Sequence, residues 1–375
     1  MKQDLFRCLP SEIFSNILLR LSLRTKKKQD LFRFLPSEIF TNILLRLSLQ
    51  TIATCKCVCK PWRDLIESNE FLESHNLSKS APALAVLMPA MHSSWFNLFK
   101  LEDEHEHEQD PITKFDFPQA STIQGSANGL LLLRNPYHIY ICNPITNEFV
   151  ELRGPHTLLW GDCYGFGVSR ISGQHKIIYL NRKFGCYTYT LESGASWRSV
   201  EATSLSFRHC HGPGAFVNGN IHWLVSNNGM PYIYCFDVET ECFSIFSPPP
   251  IKKYGKLHAL EDCLYLVEEC YGFGKIWLFE GYKCWRKLHD THIPFIEHGY
   301  GSDYVQPIKV YGNGDMLMLW KEKLFLYYSN KNKSVRQIDV YGKLNDDCYY
   351  INSIYLTPSF LSLRRSLGMD NVMPF

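Results

Sequence analysis

The sequence contains no apolar run of the roughly 20 residues that a bilayer-crossing helix needs. Lys2, Asp4 and Arg7 break up the stretch in which a secretory leader would lie, so no export is expected, and localisation is expected to be cytoplasmic and/or nuclear. There is no surplus of charge of either sign. The 39 Lys and Arg stand against 37 Asp and Glu, a net +2 that suggests neither a nucleic-acid nor a membrane partner. Sequence signatures of catalysis are missing too. There is no Gly-x-Ser-x-Gly elbow and no His-Glu-x-x-His pair, and the Gly-Phe-Gly triplets at 165–167 and 272–274 lack the spacing of a phosphate loop. The 14 cysteines do not form the dense short-chain pattern of a disulfide scaffold, and reduced thiols are expected. Cys55-x-Cys57-x-Cys59 has no second ligand pair for zinc, and helical positions two apart diverge. His105 and His107 sit in the acidic stretch Glu102 to Asp110, which reads as a solvated loop. No catalytic residue, metal or cofactor is expected.

What the chain does have is length and apolar mass. Its 375 residues accommodate a small domain and a large one, 45% hydrophobic content supports a true core, and 14% aromatic content suits β structure. The helical part is Leu35 to Ile66. Pro36 sits where a first helical residue tolerates a missing N–H, and Glu38 lies in the first turn near the positive end of the dipole. Ile39, Ile43, Leu44 and Leu47 recur on one helical face. Leu49 to Cys57 makes a second helix, and Pro61 opens a third with Trp62, Leu65 and Ile66. A fragment of about 40 residues cannot bury so many large apolar groups alone, so it reads as half of a core completed by another protein.

The elements Leu35-Pro36-Ser37-Glu38-Ile39, Ile43-Leu44-Leu45-Arg46-Leu47 and Val58-Cys59-Lys60-Pro61-Trp62 resemble, in order and spacing, the F-box. The resemblance implies docking on the Skp-family adaptor of an SCF (Skp–cullin–F-box) ubiquitin ligase and, through it, on a cullin. The adaptor-binding residues it implies are Leu35, Pro36, Glu38, Ile39, Ile43, Leu44, Leu47, Val58, Cys59, Lys60 and Trp62. Residues 2–23 nearly repeat 28–49, differing only at Cys8/Phe34 and Ser15/Thr41, but the first copy ends without a Val-Cys-Lys-x-Trp half. Residues 1–27 are therefore a truncated duplicate, 28–80 the F-box with a last helix and linker, and 81–375 a second domain.

Beyond Ala81 the period changes from helical to alternating. A strand, a tight turn and a second strand recur at 139–152, 187–200, 233–246, 276–288 and 324–338, with starts 43 to 48 residues apart, the spacing of propeller blades. Another strand pair precedes each, several turning on Asn-Gly, as at Asn128-Gly129 and Asn218-Gly219. Two hairpins per period make a four-stranded blade. Five blades are thus visible, and the N-terminal strands 83–89, 94–102 and 112–118 with the C-terminal 350–363 complete a sixth. The expected fold is α+β overall: a small all-α unit followed by an all-β propeller. Gly125-Ser126-x-Asn128-Gly129, Tyr164-Gly165-Phe166-Gly167, Ser196-Trp197-Arg198 and Val217-Asn218-Gly219-x-Ile221-His222-Trp223 resemble the kelch-like F-box-associated domain of plant F-box proteins.

The resemblance implies a non-catalytic receptor that presents a protein target for ubiquitination. Blade geometry puts the turns between strands one and two and between three and four on one face. The other face carries the longer segments 153–163, 201–213, 247–257, 269–275 and 289–305. Loops on a rigid scaffold carry recognition, and aromatics anchor it. The expected target-binding residues are Trp160, Phe207, His209, Tyr254, Tyr271, Phe273, Tyr300 and Tyr304. The competing reading is a propeller enzyme or glycan-binding module with a helical cap.

Overall fold

The second half of the helical motif shows how local chemistry places the helices. The Ser48 hydroxyl accepts from the Thr51 N–H at 3.3 Å and caps α2 (Leu49–Cys55), while Pro61 occupies the first turn of α3 (Lys60–Ile66), where no N–H is needed. α1 (Ser37–Leu44) precedes them and carries Glu38 in its first turn. The computed structural model describes residues 37–374 except 57, 69, 72–73, 75–81, 91–92, 102–110, 157–161, 202–206, 252–254, 271–272, 282–283, 293–304 and 339–349. The duplicate at 1–27 lies outside the described residues, as does most of the expected helix and linker at 67–80. Phe40 of α1 and Trp62 of α3 stand 4.7 Å apart between ring centroids, and Leu44, Ile52 and Ile66 are fully buried beneath them.

Six antiparallel sheets follow. Blade I holds β1 (Ala83–Pro89), β2 (Ser94–Lys100) and β3 (Thr113–Asp116). Blade II holds β4 (Thr122–Ala127), β5 (Leu130–Arg134), β6 (Ile139–Asn143) and β7 (Glu148–Leu152). Blade III holds β8 (Cys163–Val168), β9 (His175–Asn181), β10 (Gly185–Thr190) and β11 (Arg198–Val200). Blade IV has β12 (His209–Cys210), β13 (Ala215–Val217), β14 (Asn220–Asn227), β15 (Met230–Asp237) and β16 (Phe243–Phe246). Blade V is β17 (Gly255–Leu260), β18 (Cys263–Cys270), β19 (Phe273–Gly281) and β20 (Cys284–His292). Blade VI is β21 (Val305–Val310), β22 (Met316–Trp320), β23 (Leu324–Ser329) and β24 (Ser334–Gln337). β25 (Asn352–Leu356) pairs with β1 and becomes the inner strand of blade I, so the last strand of the ring closes its first blade. Closure removes the two free edges that an open row of blades would present. Blade IV departs from the four-strand plan, because β12 adds a short fifth strand along the end of β14.

Middle strands such as β5 and β9 are buried almost throughout because both of their faces are covered by neighbouring blades. Inter-blade contacts are tight. A Cβ on Gly165 would lie 2.4 Å from the Trp223 ring, whose Nε1–H donates to the Tyr164 carbonyl at 3.2 Å. The Gly-Phe-Gly of 165–167 is therefore a packing device between blades III and IV. Polar groups tie the seam of blades I and II: the Ile123 N–H donates to Asn352 Oδ1 at 2.7 Å, and the Ser126 hydroxyl donates to the Tyr355 carbonyl at 2.8 Å.

After β25 the chain does not continue as strand to 363, as the sequence pattern suggested. It crosses the face of the short turns as an irregular strap and ends in β26 (Met373–Pro374), which pairs with β7. Asn143 Nδ2 donates to the carbonyls of Ser359 and Leu361, and Glu148 accepts from the Ser362 hydroxyl and the Leu363 N–H. Gly129 has φ +80°, and a Cβ there would lie 2.3 Å from Ser359 Oγ, so the Asn-Gly turn serves both the hairpin and the strap. The strap also holds the helices. Phe360 is fully buried with its ring 6.5 Å from that of Phe71, and Arg365 Nη1 lies 2.9 Å from Asp64 and 2.6 Å from Glu67.

Candidate functional site

Strand direction assigns the described connections to one of two faces. Turns between first and second and between third and fourth strands, the strap and the helices share one face. The turns between second and third strands and the links from blade to blade share the other. The inner strands enclose a cavity of about 290 Å³ lined by Gln124, His211, Lys256, His258, Gln306 and Tyr355 among others. Beside it, at the blade-link face, a second cavity of about 290 Å³ is walled by Arg134, Asn135, Pro136, Asp162, Cys163 and Cys210. The two share Thr122, Gln124, Gly212 and Pro213, so they form one depression around the channel mouth.

The walls of that depression are preorganised. Asp162 accepts from the Tyr179 hydroxyl at 2.9 Å and from Asn181 Nδ2 at 2.6 Å, fixing the start of β8 to the end of β9. Arg134 lies over the Tyr164 ring at 5.4 Å. Burial, and next the neighbouring His209, hold the His211 imidazole below its ordinary pKa, and its Nε2 shares a 3.0 Å hydrogen bond with the Ser226 hydroxyl. Cys163 and Cys210 are joined in a disulfide, which corrects the expectation of reduced thiols at these two positions. They lie 47 residues apart, one blade period, so two neighbouring blades bring them together. Eight other described cysteines are free.

The expected target-binding residues fall unevenly on this face. Trp160, Tyr254, Tyr271, Tyr300 and Tyr304 lie outside the described residues. Phe273 begins β19. His209 is exposed on β12, at the rim of the depression. Phe207 is a correction: it is buried against Tyr234, ring centroids 6.0 Å apart, and serves the core of blades III and IV. Sequence reasoning missed Tyr137, 79% exposed in the β5–β6 turn, and Met230, 60% exposed where β14 turns into β15. Both stand in short turns, and attention to segment length alone passed over them. Their signal was a large apolar side chain beside turn formers, in Asn-Pro-Tyr and Asn-Asn-Gly-Met.

The helices divide their apolar residues in the same way. Leu35 and Pro36 lie outside the described residues. Glu38, Ile39 and Lys60 are exposed, with Ile39 at 38%, and Ile43, Val58 and Cys59 are half-buried. Leu44, Leu47 and Trp62 are buried within this chain, so as surface anchors they are corrected: they join the helices to one another and to the strap-bearing core. The bare periodicity could not separate the two groups, because both lie on the same apolar helical stripe.

Two family models match the chain, the F-box domain over residues 32–74 and the F-box associated beta propeller domain over 85–357. The F-box protein At1g46984 of Arabidopsis thaliana is 23% identical over 344 residues, covering 82% of this chain and 87% of the relative. The Arabidopsis F-box protein At3g07870 is 23% identical over 358 residues, covering 79% and 85%. Among solved structures, the nidogen/laminin complex contains a chain that aligns with a TM-score of 0.44 at 13% identity, over 72% of this chain and 98% of that one. The propeller match alone spans well over half of the sequence, and the helices ahead of it match the F-box: this chain belongs to the F-box proteins with an F-box associated β-propeller.

Proposed function

We propose that this protein is the substrate-recognition subunit of an SCF-type ubiquitin ligase, with the F-box on a Skp-family adaptor and so on a cullin, and the propeller on a protein target. The observation that carries the reading is the division of labour between the two ends of the molecule. The F-box match packs on the strap-bearing face and still offers Glu38 and Ile39 to solvent, while the polar depression on the blade-link face is covered by none of the described helices or strap. The protein supplies proximity and orientation and is non-catalytic, the conjugating enzyme carrying out the transfer. Its place of action is the cytoplasm or nucleus, where such ligases meet their targets.

The adaptor contact would rest on the exposed and half-buried members of the motif, with Leu35 and Pro36 as further apolar anchors. Co-expression with a Skp-family adaptor and measurement of its retention tests this. Ile39→Asp, or Leu35→Ala with Pro36→Ala, should weaken retention more than a hundredfold, as loss of about 3 kcal/mol requires. The melting temperature should stay in place for Ile39→Asp. Undiminished retention by both variants would sink the reading. Deleting residues 1–26 should leave retention equal or higher.

A further inference from the structure

The net charge of the chain conceals an asymmetry between the faces. On the blade-link face, blades II to IV carry Arg134 in the cavity wall and Arg153, Arg182, Lys183 and Arg208 exposed around it. No carboxylate among the described residues pairs with Arg153, Arg182, Lys183 or Arg208. The acids nearby are few and occupied: Glu151 pairs with His138 at 2.8 Å, and Asp162 holds Tyr179 and Asn181. Glu201 is the exposed exception. On the opposite face several acids serve the fold. Glu239 accepts from Ser169 and Ser172, Glu241 pairs with Lys176 and Arg198, and Asp315 accepts from Tyr327 and Asn330.

Covalent and hydrogen-bonded links gather the cations into one patch. Arg182 follows Asn181, which donates to Asp162; Asp162 precedes Cys163; Cys163 is bonded to Cys210; and Arg208 lies two residues before Cys210. The Arg182–Lys183 turn is itself fixed, since the Lys183 and Phe184 N–H groups both donate to Asn181 Oδ1. Exposed apolar side chains flank the patch, Tyr137 on the blade II side and Met230 on the blade IV side. Guanidinium and ammonium groups beside a polar cavity, edged by apolar contacts, have the chemistry to take carboxylates from a flexible chain.

We infer that blades II to IV of this face bind an acidic, extended peptide segment of the target, its Asp or Glu side chains on Arg182, Lys183, Arg208 and Arg134. The inference rests on the receptor reading for its biological meaning. Its physical basis is positive charge that no carboxylate among the described residues balances.

The test uses the full chain, co-expressed with a Skp-family adaptor, and immobilised 15-residue Gly/Ser/Tyr peptides carrying zero, two, four or six Glu, with a matched Lys series. Capture should climb with Glu number, fall as NaCl rises, and drop at least tenfold in the triple variant Arg182→Gln, Lys183→Gln, Arg208→Gln. These residues are exposed, so the variant should melt with the parent, and Lys331→Gln on the opposite face should change nothing. Equal capture of the Glu and Lys series, or unchanged capture by the triple variant, overturns the inference. Tighter capture of a 15-nucleotide single-stranded DNA than of the six-Glu peptide also overturns it, because the patch would then read phosphate. Glu-peptide capture without adaptor retention sustains this inference and removes the receptor assignment; retention without capture does the reverse.

Discussion

The two faces of the propeller are made by the same strands and do opposite work. One is crossed by the strap, braced against the F-box helices, and stitched with the carboxylates and amides of its own turns. The other exposes Tyr137 and Met230, the channel mouth, and cations that pair with no carboxylate among the described residues. The difference teaches that closure and domain orientation have been concentrated on one side. A surface whose polar groups are already satisfied within the fold has little left to offer a partner, whereas unsatisfied charge held on a rigid frame is available for binding.

The contrast can be broken most severely at the strap. Phe360→Ala removes a fully buried ring and should cost about 3–5 kcal/mol, read as a lower melting temperature and as faster proteolysis between helices and propeller. An unchanged melting temperature would mean that the strap is ornament. Acid should weaken the same side next. Burial pushes His175, at the strap-side end of β9, down to about 4, and neither ring nitrogen has a partner among the described residues. The unfolded chain takes up this proton at its ordinary 6.5, so the stabilisation is complete above that value and is lost as pH falls toward 4. The ceiling is about 3 kcal/mol. Urea midpoints at pH 7.5 and 4.5 should separate wild type from His175→Gln by that pH-dependent increment, and parallel curves would remove the claim.

On the open face the expected effects are smaller for stability and larger for recognition. Tyr137→Ser with Met230→Ser should reduce target capture about tenfold while stability moves by no more than about 0.5 kcal/mol. Ile171→Ser, 84% exposed on the strap-bearing face, is the control and should leave capture alone. If Ile171→Ser is the change that matters, the assignment of faces is inverted. Arg365→Ala should cost folding little, about 0–1 kcal/mol, because Arg365 and Asp64 are partly exposed and the buried Glu67 keeps its pair with Lys56. Its readout is the helix–propeller orientation by solution scattering.

Much of the architecture was legible in the chain. The hairpin period marked five blades because a strand pair and its turn are local, and the unpaired strands at the two ends, 83–118 and the 350–363 segment, announced the sixth and the ring closure. The candidate site was legible only in part. His209 is exposed, while Phe207 is core, and Tyr137, Met230 and the Arg182–Lys183 turn passed unnoticed. An aromatic in a long connection and an aromatic in a buried seam look alike until the neighbouring blade is in place.

By itself the sequence determined the helices at 37–66, the alternation of strands and turns, and the family that these motifs mark, since each depends on residues a few positions apart. Tertiary structure decided the rest. It chose which apolar residues of the F-box stripe are spent inside the chain, with Leu44, Leu47 and Trp62 covered and Ile39 left in solvent. It brought Cys163 to Cys210, Phe360 to Phe71 and β26 to β7, and it set Glu239, Glu241 and Asp315 to work in the turns of one face while leaving Arg182, Lys183 and Arg208 without a carboxylate among the described residues on the other. Periodicity reports only how a side chain is directed along its own element. Burial and charge pairing are set by whatever the closed ring places opposite, tens to hundreds of residues away.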